Sequence, residues 1–162
     1  MNIYNYNFAG LEGTPIALER FRNHPILLVN TASECEFTPQ YAKLQQLHND
    51  YQQSGLVIIG MPSNDFGEQE PGDEEEIAAF VRENYQVSFP MTAKYSVIGM
   101  NGHPLFKDMA QEFGGDILPR TNFHKYLFNR KGALIEHWPG PIPPDDPAVV
   151  HQITRNLQSW TL

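Results

Sequence analysis

Two short apolar segments with an amphipathic stretch between them narrow the possible folds of this chain. Segments 26–29 and 56–61 are rich in strand-forming residues, and the second is apolar on both faces, as an interior strand of a parallel sheet is. Apolar residues recur between them at helical spacing: Tyr41, Leu44, Leu47 and Tyr51. Thr38 is suited to cap that helix and Pro39 to begin it. Residues 26–61 therefore predict a strand–helix–strand unit with parallel strands.

The elements on either side extend this unit to a complete fold. Turn-rich residues 1–25 predict a small hairpin or cap. After the strand–helix–strand unit, the sequence predicts a helix opened by the acids 73–76 and a second helix near 103–113. Antiparallel strands at 124–129 and 133–138 follow as a hairpin. The last predicted element is a helix that Asp146 caps and whose buried face includes Trp160. This order predicts an α/β, thioredoxin-like fold, with a mixed central sheet, helices on both faces and an N-terminal β-hairpin extension.

Composition excludes several classes of function. The 162 residues include 11 Lys and Arg against 19 Asp and Glu, a net charge of -8, which opposes binding to nucleic acid or to anionic membranes. No apolar stretch reaches the roughly 18 residues of a membrane span. Residues 1–7 lack the basic and apolar regions of a secretory signal. We therefore expect a cytoplasmic protein with a single domain over residues 1–162.

Cys35 is the one cysteine of the chain, so the fold cannot contain an intrachain disulfide. A lone cysteine is either a small buried hydrophobe or a reactive thiol. Cys35 follows the first strand of the strand–helix–strand unit and precedes the helix, where ligands and active groups collect in open α/β sheets. Backbone N–H groups and the helix dipole favour a thiolate there. This position favours a reactive thiol over an inert one.

Three segments carry a resemblance that runs across nearly the whole chain. Residues 29–41 read VNTASECEFTPQY, residues 62–72 read PSNDFGEQEPG, and residues 122–127 read NFHKYL. In this order and on these predicted elements, the segments are similar to the three motifs of the glutathione peroxidase family. The resemblance implies a thioredoxin-like peroxidase that reduces hydrogen peroxide or organic hydroperoxides with electrons from an external thiol such as glutathione.

The resemblance also implies roles for particular residues. The family's nucleophile maps onto Cys35, its active-site glutamine onto Gln69 and its asparagine onto Asn122. Carboxamide N–H groups stabilise a thiolate and the charge that develops on oxygen as the O–O bond breaks. No cofactor is implied, and the spacing of the six histidines does not predict a metal site. The stretch 105–120 is short compared with tetrameric members, which implies a monomer.

The chain departs from the family at several positions. Thr121 stands where the family carries tryptophan, and Glu36 where glycine is usual. Arg82 aligns with the second cysteine that many sulfur-dependent members use, so oxidised Cys35 must react with an external thiol. Arg120 precedes the third motif and Lys125 lies within it, and we expect both to be solvated surface cations.

Three functional hypotheses are compatible with these residues. The leading one is a thiol peroxidase that turns over through a sulfenic acid on Cys35. The second is a redox-responsive binding protein with a weakened site, marked by Thr121 and Glu36, that forms mixed disulfides through Cys35. The third is an inert scaffold with Cys35 buried. Turnover with excess thiol separates the first two, because a sensor stops after one equivalent of peroxide.

Overall fold

The computed structural model describes residues 1–157, and its centre is a four-stranded mixed sheet. The described residues contain six strands, four of which form this sheet. They are β1 (Asn7–Phe8), β2 (Ile16–Ala17), β3 (Ile26–Thr31), β4 (Val57–Pro62), β5 (Lys125–Phe128) and β6 (Leu134–Trp138). The central sheet has the order β4-β3-β5-β6, while β1 and β2 form a separate antiparallel pair. Strand β3 pairs in parallel with β4 and antiparallel with β5, and β5 pairs antiparallel with β6.

Within residues 1–157, four α-helices cover the sheet on both faces. They are α1 (Gln40–Tyr51), α2 (Glu74–Tyr85), α3 (Pro104–Phe113) and α4 (Pro147–Leu157). Side chains alternate along β3, so that Leu27 packs with α1, α2 and α4 whereas Leu28 packs with α3 and the N-terminal hairpin. Residues from the two ends of the chain thus share the core with the central strands, which explains why β3 is buried along its whole length.

The predicted α/β, thioredoxin-like architecture is confirmed, including the N-terminal hairpin. Helix α2 begins at a capping box in which Asp73 accepts from the Glu76 amide and Glu76 from the Asp73 amide. Asp146 accepts from the Ala148 amide at the start of α4, as predicted. Trp160, predicted on the face of α4, lies outside the described residues.

The sheet topology places three loops together. The carboxyl ends of β3 and β4 lie at one edge because these strands are parallel, and the amino end of β5 lies at the same edge because β5 is antiparallel to β3. The turn before α1, the loop after β4 and the turn before β5 therefore meet there. Over the described part of the chain, we find no helix with the length and apolar character that crossing a membrane requires.

Candidate active site

Cys35 lies in the turn between β3 and α1, and its side chain is half-buried. Its sulfur accepts a hydrogen bond from the Phe37 amide, with Sγ and N 3.2 Å apart. The Thr38 amide donates to the Cys35 carbonyl at 3.1 Å, which closes the turn that leads into α1. A backbone N–H directed at the sulfur stabilises the thiolate more than the thiol, because charged acceptors form the stronger bonds. The turn therefore supports a nucleophilic sulfur.

Thr38 has a different function from the one predicted. It does not cap α1; the residue before the helix is Pro39, which has no side-chain cap bond. The Thr38 hydroxyl instead accepts from the Cys35 amide at 2.9 Å and donates to the Ala32 carbonyl at 2.9 Å. A helix cap and this bridge compete for the same hydroxyl, and the bridge fixes the backbone on both sides of Cys35.

Gln69 and Asn122 are brought into direct contact. Asn122 is 3% exposed, and its Nδ2 donates to Gln69 Oε1 at 2.9 Å and to the Phe66 carbonyl at 3.4 Å. Since Gln69 Oε1 is the acceptor, its own NH2 group points away from Asn122 and has no partner in residues 1–157. Asn122 therefore orients Gln69, and Gln69 presents an available donor.

Backbone contacts tie the loop that carries Gln69 to the turn that carries Cys35. The Glu34 amide donates to the Gln69 carbonyl at 3.0 Å, one residue before the cysteine. Left-handed backbone at Gly67 and Glu68, with φ of 71° and 52°, turns the chain immediately before Gln69. These contacts bring the segments of all three predicted site residues to one edge of the sheet.

Asn30 at the end of β3 anchors the turn that holds Asn122, a function that the sequence did not reveal. It is 1% exposed, and its Nδ2 donates to the Thr121 carbonyl at 3.0 Å while its Oδ1 accepts from the His124 amide at 3.0 Å. Its backbone carbonyl also accepts from the amide of Phe123, a residue with a left-handed φ of 63°. The one available signal was a polar residue inside an apolar strand.

A proline-rich segment, residues 139–144, packs against Thr121, the residue at the family's tryptophan position. The Thr121 hydroxyl accepts from the Gly140 amide at 3.2 Å, so it is directed at this segment. Gln40 donates to the Gly140 carbonyl at 2.7 Å, and Lys125 Nζ donates to the same carbonyl at 2.9 Å and to that of Ile142. The segment thus forms a fixed wall beside the site.

Lys125 is not the solvated cation that we predicted. It is 0% exposed, and burial lowers the pKa of its ammonium group to about 7. Strand β5 is buried on both faces, so the Lys125 side chain lies inside the protein, where backbone carbonyls replace water. Arg120, by contrast, is exposed and pairs with Asp116 at 2.9 Å, as expected for a surface cation.

We expect Gly140→Ala to destabilise the protein by about 1–3 kcal/mol. A Cβ at this buried position would fall inside the contact distances of Thr121 Oγ1 and of the Asn122 carbonyl oxygen. Gly115→Ala is the matched control, because a Cβ there meets nothing within 4 Å. The midpoints of urea unfolding measure both. Equal stability of the two variants would show that the proline-rich segment can shift to accommodate the Cβ without losing unfolding free energy.

Glu70, next to Gln69, is a buried carboxyl group that the sequence analysis did not single out. It is 1% exposed, and its Oε1 accepts from the Ser33 amide at 3.2 Å. Its Oε2 has no hydrogen-bond partner within the described chain. Burial raises the pKa of Glu70 to about 7, against the lowering effects of Ser33 and of the Lys94 ammonium group.

This burial predicts a stability that depends on pH. The pKa of Glu70 is higher in the folded protein than the ordinary 4.5, so folding favours the protonated form. The contribution is complete below pH 4.5 and is lost as the pH rises through about 7. Glu70→Gln should match wild type near pH 4 and exceed its unfolding free energy by about 3 kcal/mol at pH 8.

Urea unfolding at several pH values measures this difference. Glu83→Gln, at an exposed position of α2, is the matched control. A difference between Glu70→Gln and wild type that does not change from pH 4 to pH 8 would contradict the burial of a titrating carboxyl group.

Two of the departures from the family pattern, Glu36 and Arg82, lie at the surface, whereas Thr121 is half-buried. Glu36 is exposed beside Cys35, so water screens its charge. Arg82 is exposed on α2, where the second cysteine of other members would stand.

Among residues 1–157, no three His, Cys, Asp or Glu side chains are grouped in a way that could hold a metal ion.

A thioredoxin-like sheet with a cysteine in the turn before its first helix and two carboxamides at the same edge defines a thiol-based oxidoreductase. Comparison with known proteins identifies its family. The family model "Glutathione peroxidase" matches residues 3–110. The chain belongs to the glutathione peroxidase family.

Individual relatives agree with this assignment. The chain is 40% identical over 152 residues to the hydroperoxy fatty acid reductase gpx1 of Synechocystis, covering 89% of this chain and 90% of the relative. It is 42% identical over 130 residues to the glutathione peroxidase-like peroxiredoxin gpx1 of Schizosaccharomyces pombe, covering 78% and 82%. The crystal structure of Trgpx in apo form superimposes with a TM-score of 0.77 at 26% identity, covering 98% and 96%. The protein is a thiol-dependent peroxidase, as predicted.

Proposed function

We propose that Cys35 is the nucleophile of this peroxidase, that Gln69 stabilises the charges of the reaction and that Asn122 positions Gln69. The observation that carries this proposal is the 2.9 Å bond from Asn122 to Gln69 Oε1. It leaves the Gln69 NH2 group free to donate at the edge of the sheet where Cys35 lies. An oriented N–H donor of this kind stabilises developing negative charge without rearranging during the reaction.

In the first half-reaction, the Cys35 thiolate attacks one oxygen of the hydroperoxide. An S–O bond forms and the O–O bond breaks, so that sulfur is oxidised to a sulfenic acid. The proton that the thiol gave up returns to the leaving oxygen, which departs as water or as an alcohol. The Phe37 amide supports the thiolate before the attack, at 3.2 Å from the sulfur.

In the second half-reaction, external thiols restore the enzyme. The chain contains one cysteine, so no internal disulfide can form. A first thiol condenses with the sulfenic acid to a mixed disulfide and water, and a second displaces Cys35 as a thiolate. We infer that organic hydroperoxides are substrates alongside hydrogen peroxide; the name of the Synechocystis relative, a hydroperoxy fatty acid reductase, supports this.

Turnover tests this proposal against the redox-responsive binding protein. With excess thiol, we expect the protein to consume many equivalents of hydroperoxide and to end as the reduced thiol. Consumption that stops after one equivalent, with Cys35 held in a mixed disulfide, would overturn the proposal in favour of a sensor. The absence of any consumption would overturn both.

A further inference from the structure

Glu70 connects three segments of the chain around Cys35. Its backbone amide donates to Asn64 Oδ1 at 2.9 Å, within the loop that follows β4. Its backbone carbonyl accepts from Lys94 Nζ at 3.2 Å. Its side-chain Oε1 accepts from the Ser33 amide at 3.2 Å, two residues before the cysteine. The amide, the carbonyl and the carboxyl group of this one residue therefore fix the loop after β4 to the turn before α1.

Two consecutive amides of the turn that carries Cys35 bind two consecutive residues of that loop. The Glu34 amide donates to the Gln69 carbonyl at 3.0 Å, and the Ser33 amide donates to the Glu70 carboxyl group. The first bond joins backbone atoms, which do not titrate. The second bond involves a titratable group, and a carboxylate accepts a stronger hydrogen bond than a neutral carboxyl group does. The connection between turn and loop therefore strengthens when Glu70 ionises.

Charged and titratable groups face Glu70 from the turn, from α1, from α2 and from the segment that follows α2. Burial raises the pKa of Glu70 to about 7, while hydrogen bonds and the Lys94 ammonium group lower it and the Glu34 carboxylate raises it. Tyr41 of α1 stays neutral, because burial raises the pKa of its phenol. Glu76 of α2 lines a cavity together with Glu70 and belongs to the capping box of that helix. Glu70 therefore changes its charge near neutral pH.

A carboxyl group at this position costs stability that an amide would not. The Glu70 side chain is 1% exposed, and removal from water disfavours its ionised form. Glutamine has nearly the same shape, carries no charge and has an oxygen that can accept from the Ser33 amide. Proteins keep groups that oppose folding where function requires them. The presence of glutamate instead of glutamine therefore indicates a function for the ionised form.

We infer that Glu70 is a positioning residue whose carboxylate holds the Cys35 turn against the loop that carries Gln69, in the geometry that the reduction of hydroperoxides requires. The inference rests on the proposed function, since it concerns the alignment of Gln69 with the sulfur. Ionised Glu70 binds the Ser33 amide more strongly and restrains the Gln69 NH2 group relative to the sulfur. Protonated Glu70 holds the turn less firmly, and a donor that is less well aligned stabilises the reacting charges less.

The test compares two reactions of Cys35 from about pH 5 to about pH 9. Oxidation by hydrogen peroxide uses both the thiolate and the Gln69 donor, whereas alkylation by iodoacetamide uses the thiolate alone. The ratio of the two second-order rate constants therefore cancels the titration of the thiol. We expect this ratio to rise about fivefold in the wild-type protein, with a midpoint near the Glu70 pKa of about 7. A ratio that is constant or falls with pH would overturn the inference.

Glu70→Gln and a matched control assign this rise to one residue. Glutamine cannot ionise, so in Glu70→Gln the ratio should stay at the value that the wild-type protein has at low pH. Glu36→Gln removes an exposed carboxyl group beside Cys35 and should keep the full rise. The inference is overturned by a rise that persists in Glu70→Gln, or by a constant ratio there at the high-pH value. Loss of the rise in Glu36→Gln would overturn it as well, because the general charge of the surface would then be its source.

Stability separates positioning from a merely structural contribution. At pH 8, Glu70→Gln should unfold at a higher urea concentration than the wild-type protein, because it buries no charge. Its ratio of oxidation to alkylation should nevertheless be about fivefold lower at that pH. A structural contribution would change stability and reactivity in the same direction. A Glu70→Gln protein that is both less stable and less reactive would therefore contradict the assignment of Glu70 as a positioning residue.

Failure of this inference can be told from failure of the proposed function. If hydrogen peroxide oxidises wild-type Cys35 rapidly but the ratio does not depend on pH, the assignment of Glu70 is wrong and Cys35 remains the nucleophile. If wild-type Cys35 is oxidised no faster than a free thiol at every pH, the proposed function is wrong and the assignment of Glu70 falls with it.

Discussion

We expect Cys35→Ser to abolish peroxide reduction, with a loss of at least about a thousandfold in turnover. A serine hydroxyl is not ionised near neutral pH and does not form an oxidised intermediate equivalent to a sulfenic acid. The fold should remain intact, because Cys35 is half-buried and serine can accept the same hydrogen bond from the Phe37 amide. Hydroperoxide consumption with excess thiol measures the loss, and urea unfolding checks the fold.

The comparison with Thr38 makes this prediction specific. Thr38→Val keeps the shape of the side chain but removes the hydroxyl that bridges the Cys35 amide and the Ala32 carbonyl. It should lower turnover moderately and stability by about 1–3 kcal/mol, since it leaves buried polar groups unpaired. A Cys35→Ser protein that retains turnover within tenfold of wild type would show that the chemistry lies elsewhere.

Asn122→Asp is expected to slow the oxidation of Cys35 by about 10²–10³. The new carboxylate cannot donate to Gln69 Oε1, as the Asn122 amide does at 2.9 Å. The carboxylate attracts the NH2 group of Gln69 instead. The Gln69 carboxamide therefore flips, and its NH2 group no longer faces the reacting atoms. The second-order rate constant for oxidation of Cys35 by hydrogen peroxide, followed without reducing thiol, measures the effect.

A double-mutant cycle shows whether Asn122 acts through Gln69. If it only orients Gln69, then Asn122→Ala should add little to the loss caused by Gln69→Ala, because the two side chains work as one unit. Losses that multiply independently would show that Asn122 contacts the reacting atoms itself. In that case the assignment of Asn122 as a positioning residue would be wrong.

The sequence predicted those parts of the structure that depend on local pattern. The strand–helix–strand unit followed from runs of apolar residues, and the start of α2 from the acids 73–76 that open it. That the segments of Cys35, Gln69 and Asn122 lie at one edge of the sheet could be predicted because each segment resembles a motif of the family. The monomeric state and the cytoplasmic location stay predictions.

What the sequence did not predict depends on contacts between distant segments. Asn30 donates to the Thr121 carbonyl, 91 positions away in the chain, and the residues next to Asn30 in the sequence do not indicate that partner. Lys125 was expected at the surface because lysine usually is, but the pairing of β5 fixes it inside. Thr38 is a residue type that often caps helices, yet its hydroxyl bonds the Cys35 amide and the Ala32 carbonyl instead. In each case tertiary geometry overrides a local preference.

The most direct test of Cys35 as the nucleophile is the reaction of the reduced protein with one equivalent of hydrogen peroxide. A sulfenic-acid trap and mass spectrometry locate the oxidised residue, and stopped-flow kinetics give the rate. We expect one added oxygen atom at Cys35, formed far faster than on a free thiol, and its removal when thiol is supplied. Oxidation of Cys35 no faster than that of a free thiol, or oxidation elsewhere in the chain, would contradict this assignment.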